Sequence, residues 1–112
     1  MPVTIQTFLK EYVDILKNIF GDHMEAVILY GSYARGDFRA DSDLDICIIL
    51  DEDELGMKKY MSRLAADTFD FNMEKDVEIN PIMVSERTFL KWRKVYPFYQ
   101  NIDREGVKLY AA

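Results

Sequence analysis

The sequence predicts an α/β domain with few strands, and three observations support this. Apolar residues recur at three- and four-residue spacing in two segments, which is typical of helices. Other segments are short apolar or alternating runs, which are typical of strands. Gly, Ser and Asp clusters separate the two kinds of segment. The length of 112 residues suits a single domain with a real core, so we expect one domain over residues 1–112.

The first half of the chain predicts a helix, a strand, a turn and a second strand. Apolar spacing over 4–20 indicates the helix, and Gly21 suits its end. "EAVILY" (25–30) and "DLDICIIL" (43–50) indicate buried strands. The intervening "GSYARGDFRADS" indicates a turn, with one helical turn beginning at Ser32.

The second half predicts a helix, a strand and two more helices. "DEDELG" indicates an acidic, exposed connection before a helix over 56–72. "DVEINPIMV" (76–84) alternates like a strand, in which Pro81 suggests an edge or a bulge. Ser85 suits the N-cap of a helix over 86–94, and a last helix is expected from near Pro97 to near Gly106.

Composition narrows the class of function. Twenty acidic residues against 14 basic ones give a net charge of −6, which disfavours direct nucleic-acid binding. No apolar stretch approaches the ~20 residues that span a bilayer, so no membrane association is expected. The N-terminus lacks the pattern of a signal peptide, and the single Cys47 cannot form an internal disulfide. We therefore expect a cytoplasmic protein.

Two carboxylates stand inside the second predicted strand. Because alternate side chains of a strand face opposite ways, Asp43 and Asp45 share one face, while Leu44, Ile46 and Ile48 share the other and can face the core. Two such carboxylates raise each other's pKa, and a divalent cation relieves that repulsion. Mg²⁺ prefers oxygen ligands and keeps room for substrate phosphates, so the pair suits half of a magnesium–nucleotide site. A solvated strand start is the alternative.

A glycine-serine turn follows the first predicted strand. Gly31 allows a sharp turn and close approach of a phosphate, and the Ser32 hydroxyl can donate a hydrogen bond to it. A loop, 33–42, connects this turn to Asp43 and Asp45. The combination places a phosphate cradle beside a metal site and is far more specific than either part.

"GSYARGDFRADSDLDI" resembles the signature of the DNA polymerase β-like nucleotidyltransferase superfamily, which is Gly-Ser followed by Asp-x-Asp. The motif is most similar to that of the minimal nucleotidyltransferases, and the segment "NIDREGVKLY" resembles the C-terminal segment of that subgroup. The resemblance extends over about residues 25–110. It implies a small mixed β-sheet flanked by helices, and it implies a third carboxylate on a later strand. Glu78, in "VEI", is the candidate where many members carry Asp, with Asp76 as the alternative.

The resemblance also implies the roles of the site residues. Asp43, Asp45 and Glu78 would be catalytic metal ligands for Mg²⁺, two ions being expected, with ATP as substrate. Gly31 and Ser32 would hold the β- and γ-phosphates. Arg35 is a further candidate phosphate ligand and Arg39 a weaker one, against the alternative that both simply face solvent.

Several other residues have plainer interpretations. Ser42 is expected to fix the loop into the strand, and His23 is expected to be structural. An aromatic cluster near the C-terminus favours core packing over an adenine-stacking shelf or a partner surface; it consists of Trp92, Tyr96, Phe98 and Tyr99.

The resemblance implies transfer of AMP from ATP to a hydroxyl group. Within the subgroup, the acceptor would be a tyrosine of a HEPN-domain RNase toxin, which makes the chain the antitoxin of a HEPN/MNT toxin–antitoxin pair. Two alternatives stay open: a non-catalytic antitoxin that neutralises its partner by binding, and nucleotidylation of a small molecule. The latter leaves little room for an acceptor pocket in 112 residues unless a homo-oligomer builds it.

Overall fold

The computed structural model describes residues 3–39 and 41–112, which form a four-stranded mixed sheet with helices on both faces. The helices are α1 (Val3–Phe20), α2 (Ser32–Arg35), α3 (Glu54–Met57), α4 (Met61–Lys75), α5 (Glu86–Trp92) and α6 (Pro97–Glu105). The strands are β1 (Met24–Tyr30), β2 (Leu44–Leu50), β3 (Ile79–Ser85) and β4 (Val107–Ala111). The predicted α/β fold with a small mixed sheet is thereby confirmed.

The sheet order is β3-β2-β1-β4. β1 pairs antiparallel with both β2 and β4, whereas β2 and β3 are parallel. Because of these directions, the end of β1 and the starts of β2 and β3 lie side by side, and the candidate site forms there. β3 is an edge strand, so the expectation for Pro81 is confirmed, because an edge tolerates a residue without a backbone N–H.

The side chains of β2 alternate between two hydrophobic cores, one on each face of the sheet. Leu44, Ile46 and Ile48 face the larger core, beneath α1 and α4, as predicted. Cys47 and Ile49 face a smaller core beneath α5 and α6. Asp45 has the parity of Cys47, so its carboxylate lies on the α5–α6 side of the sheet.

Three predictions about elements need correction. The acidic segment after β2 is not only a loop: it contains helix α3, because Asp53 caps it by accepting a hydrogen bond from the Gly56 amide at 2.7 Å. β3 begins at Ile79 rather than at 76, because Asp76 ends α4 in the left-handed conformation at φ 54°. The helix predicted over 56–72 is α4, which begins only at Met61, after a 3-10 turn over Lys58–Tyr60, and ends at Lys75. In addition, β4 was not predicted.

The structural roles predicted for three polar residues agree with the structure. Ser85 caps α5 by accepting from the Thr88 amide at 3.5 Å. The Ser42 hydroxyl accepts from the Arg39 amide at 2.7 Å and closes the loop before β2. His23 Nδ1 lies 2.7 Å from Asp51 Oδ1, a structural contact that joins the segments flanking β1 and β2. Within 3–39 and 41–112, no helix has the length and apolar character needed to cross a bilayer.

A buried tyrosine predicts how stability depends on alkaline pH. Tyr12 is fully buried, and its hydroxyl lies 2.7 Å from the Thr68 hydroxyl. Burial raises the pKa of Tyr12 to about 12, although the hydrogen bond with Thr68 acts in the opposite direction. An unfolded tyrosine titrates near pH ~10. Between these values the unfolded chain loses a proton that the folded protein keeps, so the free energy of unfolding falls as pH rises.

We expect wild type to lose about 2 kcal/mol more stability than Tyr12→Phe by pH 12, since Tyr30 and Cys47, whose pKa values burial also raises to about 12, contribute equally in both proteins. At neutral pH the variant should itself be about 1 kcal/mol less stable, since Thr68 loses its partner. Urea unfolding between neutral and strongly alkaline pH measures both effects. Parallel pH curves for the two proteins would contradict the prediction.

Candidate active site

The site is built where three strand ends meet. Tyr30, the last residue of β1, is the register partner of Asp45 in β2, and Asp45 is in turn the partner of Asn80 in β3. Gly31 follows β1 immediately, and α2 begins at Ser32. The sheet therefore brings the glycine-serine turn and the two aspartates together, as the sequence predicts.

Gly31 makes this turn possible. Its backbone has φ 77° and ψ −155°, a conformation that residues with a Cβ rarely adopt. A Cβ at this position would overlap the Asp45 carboxylate oxygen Oδ2. The backbone of the turn thus lies directly against the carboxylate, an approach that only glycine permits.

Asp43 and Asp45 form a pair of interacting carboxylates. Burial raises the pKa of Asp45 above its ordinary value, the Asp43 charge raises it further, and Arg35 lowers it. Asn80 donates a hydrogen bond from Nδ2 to Asp43 Oδ2 at 2.8 Å. Burial, and then the charge of Asp45, raise the pKa of Tyr30 to about 12. This edge of the sheet concentrates negative charge that a cation would neutralise.

The donor set fits a magnesium ion. Asp45 in β2 and Asp43, which directly precedes β2, offer carboxylate oxygens close enough to interact, and the Asn80 side chain beside them carries an amide oxygen. Hard oxygen ligands of this kind are those that Mg²⁺ prefers, with waters and substrate phosphates completing its shell. The identity of the metal and its ligands stays a prediction.

The third carboxylate is not grouped with the first two. Within residues 3–39 and 41–112, no group of three or more His, Cys, Asp or Glu side chains is arranged to hold a metal ion. The Glu78 carbonyl accepts a hydrogen bond from the Leu44 amide at 2.8 Å. Its side chain is exposed and, with Asp76, lines a separate cavity of about 250 Å³. Glu78 as a metal ligand stays a prediction, as does its alternative Asp76, and both residues precede β3, which begins at Ile79.

Asn80 and Tyr30 are residues of this site that sequence reasoning missed. Asn80 is the second residue of β3 and the register partner of Asp45, whereas Glu78 precedes the strand. Tyr30 directly precedes the glycine-serine turn. Its position next to the turn could have indicated Tyr30, whereas Asn80 reaches the site only through the pairing of β2 with β3.

A cavity of about 410 Å³ opens between the turn and helix α6. Its lining consists of Tyr30, Gly31, Ser32, Arg35, Asp45, Phe98, Asn101 and Glu105. Arg35 is half exposed, with Nη1 4.0 Å from Glu105 Oε2. Arg39 is exposed and is not part of this lining. The structure thereby separates the two arginines that the sequence left as candidates.

The members of the predicted C-terminal aromatic cluster also have different surroundings. Tyr99 packs edge-to-face against buried Phe89, with ring centroids 6.3 Å apart. Trp92 packs against Tyr96, which is itself half exposed. Phe98 is 47 % exposed and lines the cavity. The predicted role in core packing therefore applies to Tyr99 but not to Phe98.

Comparison with known proteins assigns the chain to a family. The profile of the nucleotidyltransferase domain family matches residues 9–108. The chain is 36 % identical over 102 residues to "Putative protein adenylyltransferase MJ0604" of Methanocaldococcus jannaschii, which covers 91 % of this chain and 94 % of the relative. The chain therefore belongs to the nucleotidyltransferase domain family, and the resemblance to minimal nucleotidyltransferases is confirmed. It is a nucleotidyltransferase.

Solved structures agree with this at the level of the fold. A toxin–antitoxin complex with AMP-PNP aligns with a TM-score of 0.58 and 17 % identity, over 93 % of this chain and 73 % of the other. A tri-AMPylated Shewanella oneidensis HEPN toxin in complex with MNT antitoxin aligns with a TM-score of 0.55 and 14 % identity, over 96 % and 72 %. At such identities the alignments show a common fold.

Proposed function

We propose that the chain transfers AMP from ATP to a hydroxyl group of a partner protein, with magnesium bound by Asp43 and Asp45. One observation carries the proposal: the Gly31 turn lies against the Asp45 carboxylate, and Ser32 and Arg35 line the same cavity. A polyphosphate chain in this cavity would have donors on one side and carboxylates on the other. That is the arrangement that phosphoryl transfer requires.

The residues of the chain have separate tasks in this reaction. The acceptor oxygen attacks the α-phosphorus, the bond from that phosphorus to the pyrophosphate oxygen breaks, and the acceptor proton passes to a base. Ser32 and Arg35 hold the leaving pyrophosphate, and the Ser32 hydroxyl has no other hydrogen-bond partner among the described residues. Asp43 and Asp45 would hold a magnesium ion, which would supply charge neutralisation and would lower the pKa of the attacking hydroxyl. Glu78 is the candidate proton acceptor.

The partner is proposed from the relatives. The curated relative is named a protein adenylyltransferase, and one structural neighbour is an MNT antitoxin bound to a tri-AMPylated HEPN toxin. These names support a HEPN-domain toxin as acceptor and an antitoxin role for this chain, and the resemblance to the minimal nucleotidyltransferases implies a tyrosine as the modified residue. The net charge of −6 suits docking on a basic RNase.

Intact-mass analysis of a HEPN-domain protein incubated with the chain, ATP and Mg²⁺ tests the proposal. We expect the partner to gain the mass of one or more AMP groups, with fragment spectra that place them on tyrosine. An unmodified partner that is nevertheless inhibited would instead support the binding-only antitoxin. Modification confined to a small molecule would support the other alternative.

Arg35 should contribute to substrate binding more than to stability. We expect Arg35→Ala to raise KM for ATP about tenfold, because the variant loses a charged donor to phosphate. The free energy of unfolding should change by less than about 1 kcal/mol, since the contacts of Arg35 with Asp37 and Glu105 are exposed ion pairs. Steady-state kinetics with Arg39→Ala as the matched control measures this. Equal effects of the two substitutions would contradict the assignment of Arg35.

A further inference from the structure

Helix α6 forms the wall of the cavity that faces the glycine-serine turn. Phe98, Asn101 and Glu105 line it and follow one another at three- and four-residue spacing, so they occupy one face of the helix. The opposite wall holds the proposed phosphate ligands. The volume of about 410 Å³ lies within the range of small-molecule sites, ~300–1,000 Å³. A nucleotide held by its phosphates at the turn would therefore have its remaining parts next to α6.

Phe98 is a large apolar side chain with little packing role. It is 47 % exposed and belongs to neither core of the described residues. Tyr30 contacts it edge-to-face with centroids 5.8 Å apart, and Tyr99 contacts it at 5.4 Å with rings 76° apart. Neither neighbour is parallel to the ring. An aromatic ring exposed at a cavity wall is suited to stacking on a nucleobase.

Asn101 lies almost one helical turn after Phe98. Its side-chain amide has no hydrogen-bond partner within residues 3–39 and 41–112, whereas Glu105, the other polar residue on this face, is near Arg35. An amide presents one donor and one acceptor side by side. Adenine offers the complementary pair, an amino donor next to a ring-nitrogen acceptor, while guanine offers two acceptors at the corresponding edge.

We propose that Phe98 and Asn101 form the base subsite of the cavity: Phe98 stacks on the base, and Asn101 hydrogen bonds to its edge and favours adenine over guanine. The proposal rests on the proposed function, since it assumes that a nucleoside triphosphate occupies the cavity. It assigns to Phe98 the stacking role, and it leaves the neighbouring Tyr99 in the core.

Titration calorimetry with three probes tests the subsite: ATP, GTP and inorganic tripolyphosphate, each with Mg²⁺. Tripolyphosphate has no base, so it reports the phosphate-binding residues alone. We expect Phe98→Ala to weaken ATP binding about tenfold, the usual effect of losing one stacked base, and to leave tripolyphosphate binding unchanged. Phe98→Trp, which keeps a stacking face, should bind ATP at least as well as wild type. Asn101→Ala should reduce the preference for ATP over GTP.

The matched control is Phe69→Ala, which removes a phenylalanine that is 64 % exposed on α4, outside the cavity. It should change the binding of none of the probes. If wild type binds ATP and tripolyphosphate but Phe98→Ala binds ATP equally well, the base subsite is wrong and the nucleotidyltransferase assignment is untouched. Equal weakening of ATP and tripolyphosphate by Phe98→Ala would also overturn it. If wild type binds neither probe, the proposed function fails together with the subsite.

Discussion

Replacing Asp43 and Asp45 together by asparagine is expected to reduce AMP transfer at least about a thousandfold while the fold persists. Asparagine keeps the shape of the side chain but removes the charge that neutralises a divalent cation. Stability should stay equal or rise, because the raised pKa of Asp45 means that its charged form disfavours the folded state at neutral pH. Initial rates of AMP transfer and thermal unfolding midpoints measure the two effects.

Asp70→Asn is the control for this pair, since Asp70 is exposed on α4 away from the site and should leave the rate unchanged. The double variant also separates catalysis from binding. Loss of transfer together with loss of partner neutralisation supports the enzymatic antitoxin. A double variant that still neutralises its partner would show that binding suffices, and one that retains wild-type transfer would contradict the metal-binding role.

Gly31→Ala is expected to lower the rate about a hundredfold, the scale at which a displacement near 1 Å in a catalytic group acts. The added Cβ would collide with Asp45 Oδ2 and displace either the carboxylate or the turn. The positive φ of 77° adds a stability loss of about 1 to 3 kcal/mol. Transfer rates, measured well below the unfolding temperature, and urea unfolding separate the two contributions.

Gly36→Ala is a close control, because Gly36 also has a positive φ, 83°, but no atom lies within 4 Å of a Cβ there. It should lose about 1 kcal/mol of stability for the same backbone reason and retain activity near wild type. If the two alanine variants lose activity equally, backbone strain rather than the contact with Asp45 explains the effect. That result would contradict the role given to Gly31.

The sequence predicted which residues lie together at the centre of the candidate site, because they stand in short neighbouring segments. Gly31 and Ser32 lie in the turn after β1, while Asp45 lies at the start of β2 and Asp43 directly before it, so short segments place all four residues. The burial of Leu44, Ile46 and Ile48 on one face of β2 follows from the strand period. Apolar pattern and turn chemistry agree there, so local reasoning was sufficient.

What the sequence could not predict depends on pairing between distant segments. β4 is five residues long and mostly exposed, and it becomes a strand only through its pairing with β1. The start of β3 is set by Asn72 in α4, whose side chain accepts from the Ile79 amide and donates to its carbonyl. The hydrogen bond from Asn80 to Asp43 joins residues 37 positions apart, which no local pattern reveals.

The most direct measurement is label transfer from ATP to the HEPN-domain partner, made once with ATP labelled at the α-phosphorus and once with ATP labelled at the γ-phosphorus. A nucleotidyltransferase that joins the acceptor to AMP must place only the α label on the partner and release the γ label in pyrophosphate. Label that reaches the partner only from the γ position would identify a kinase and contradict the mechanism assigned to Asp43, Asp45 and the glycine-serine turn.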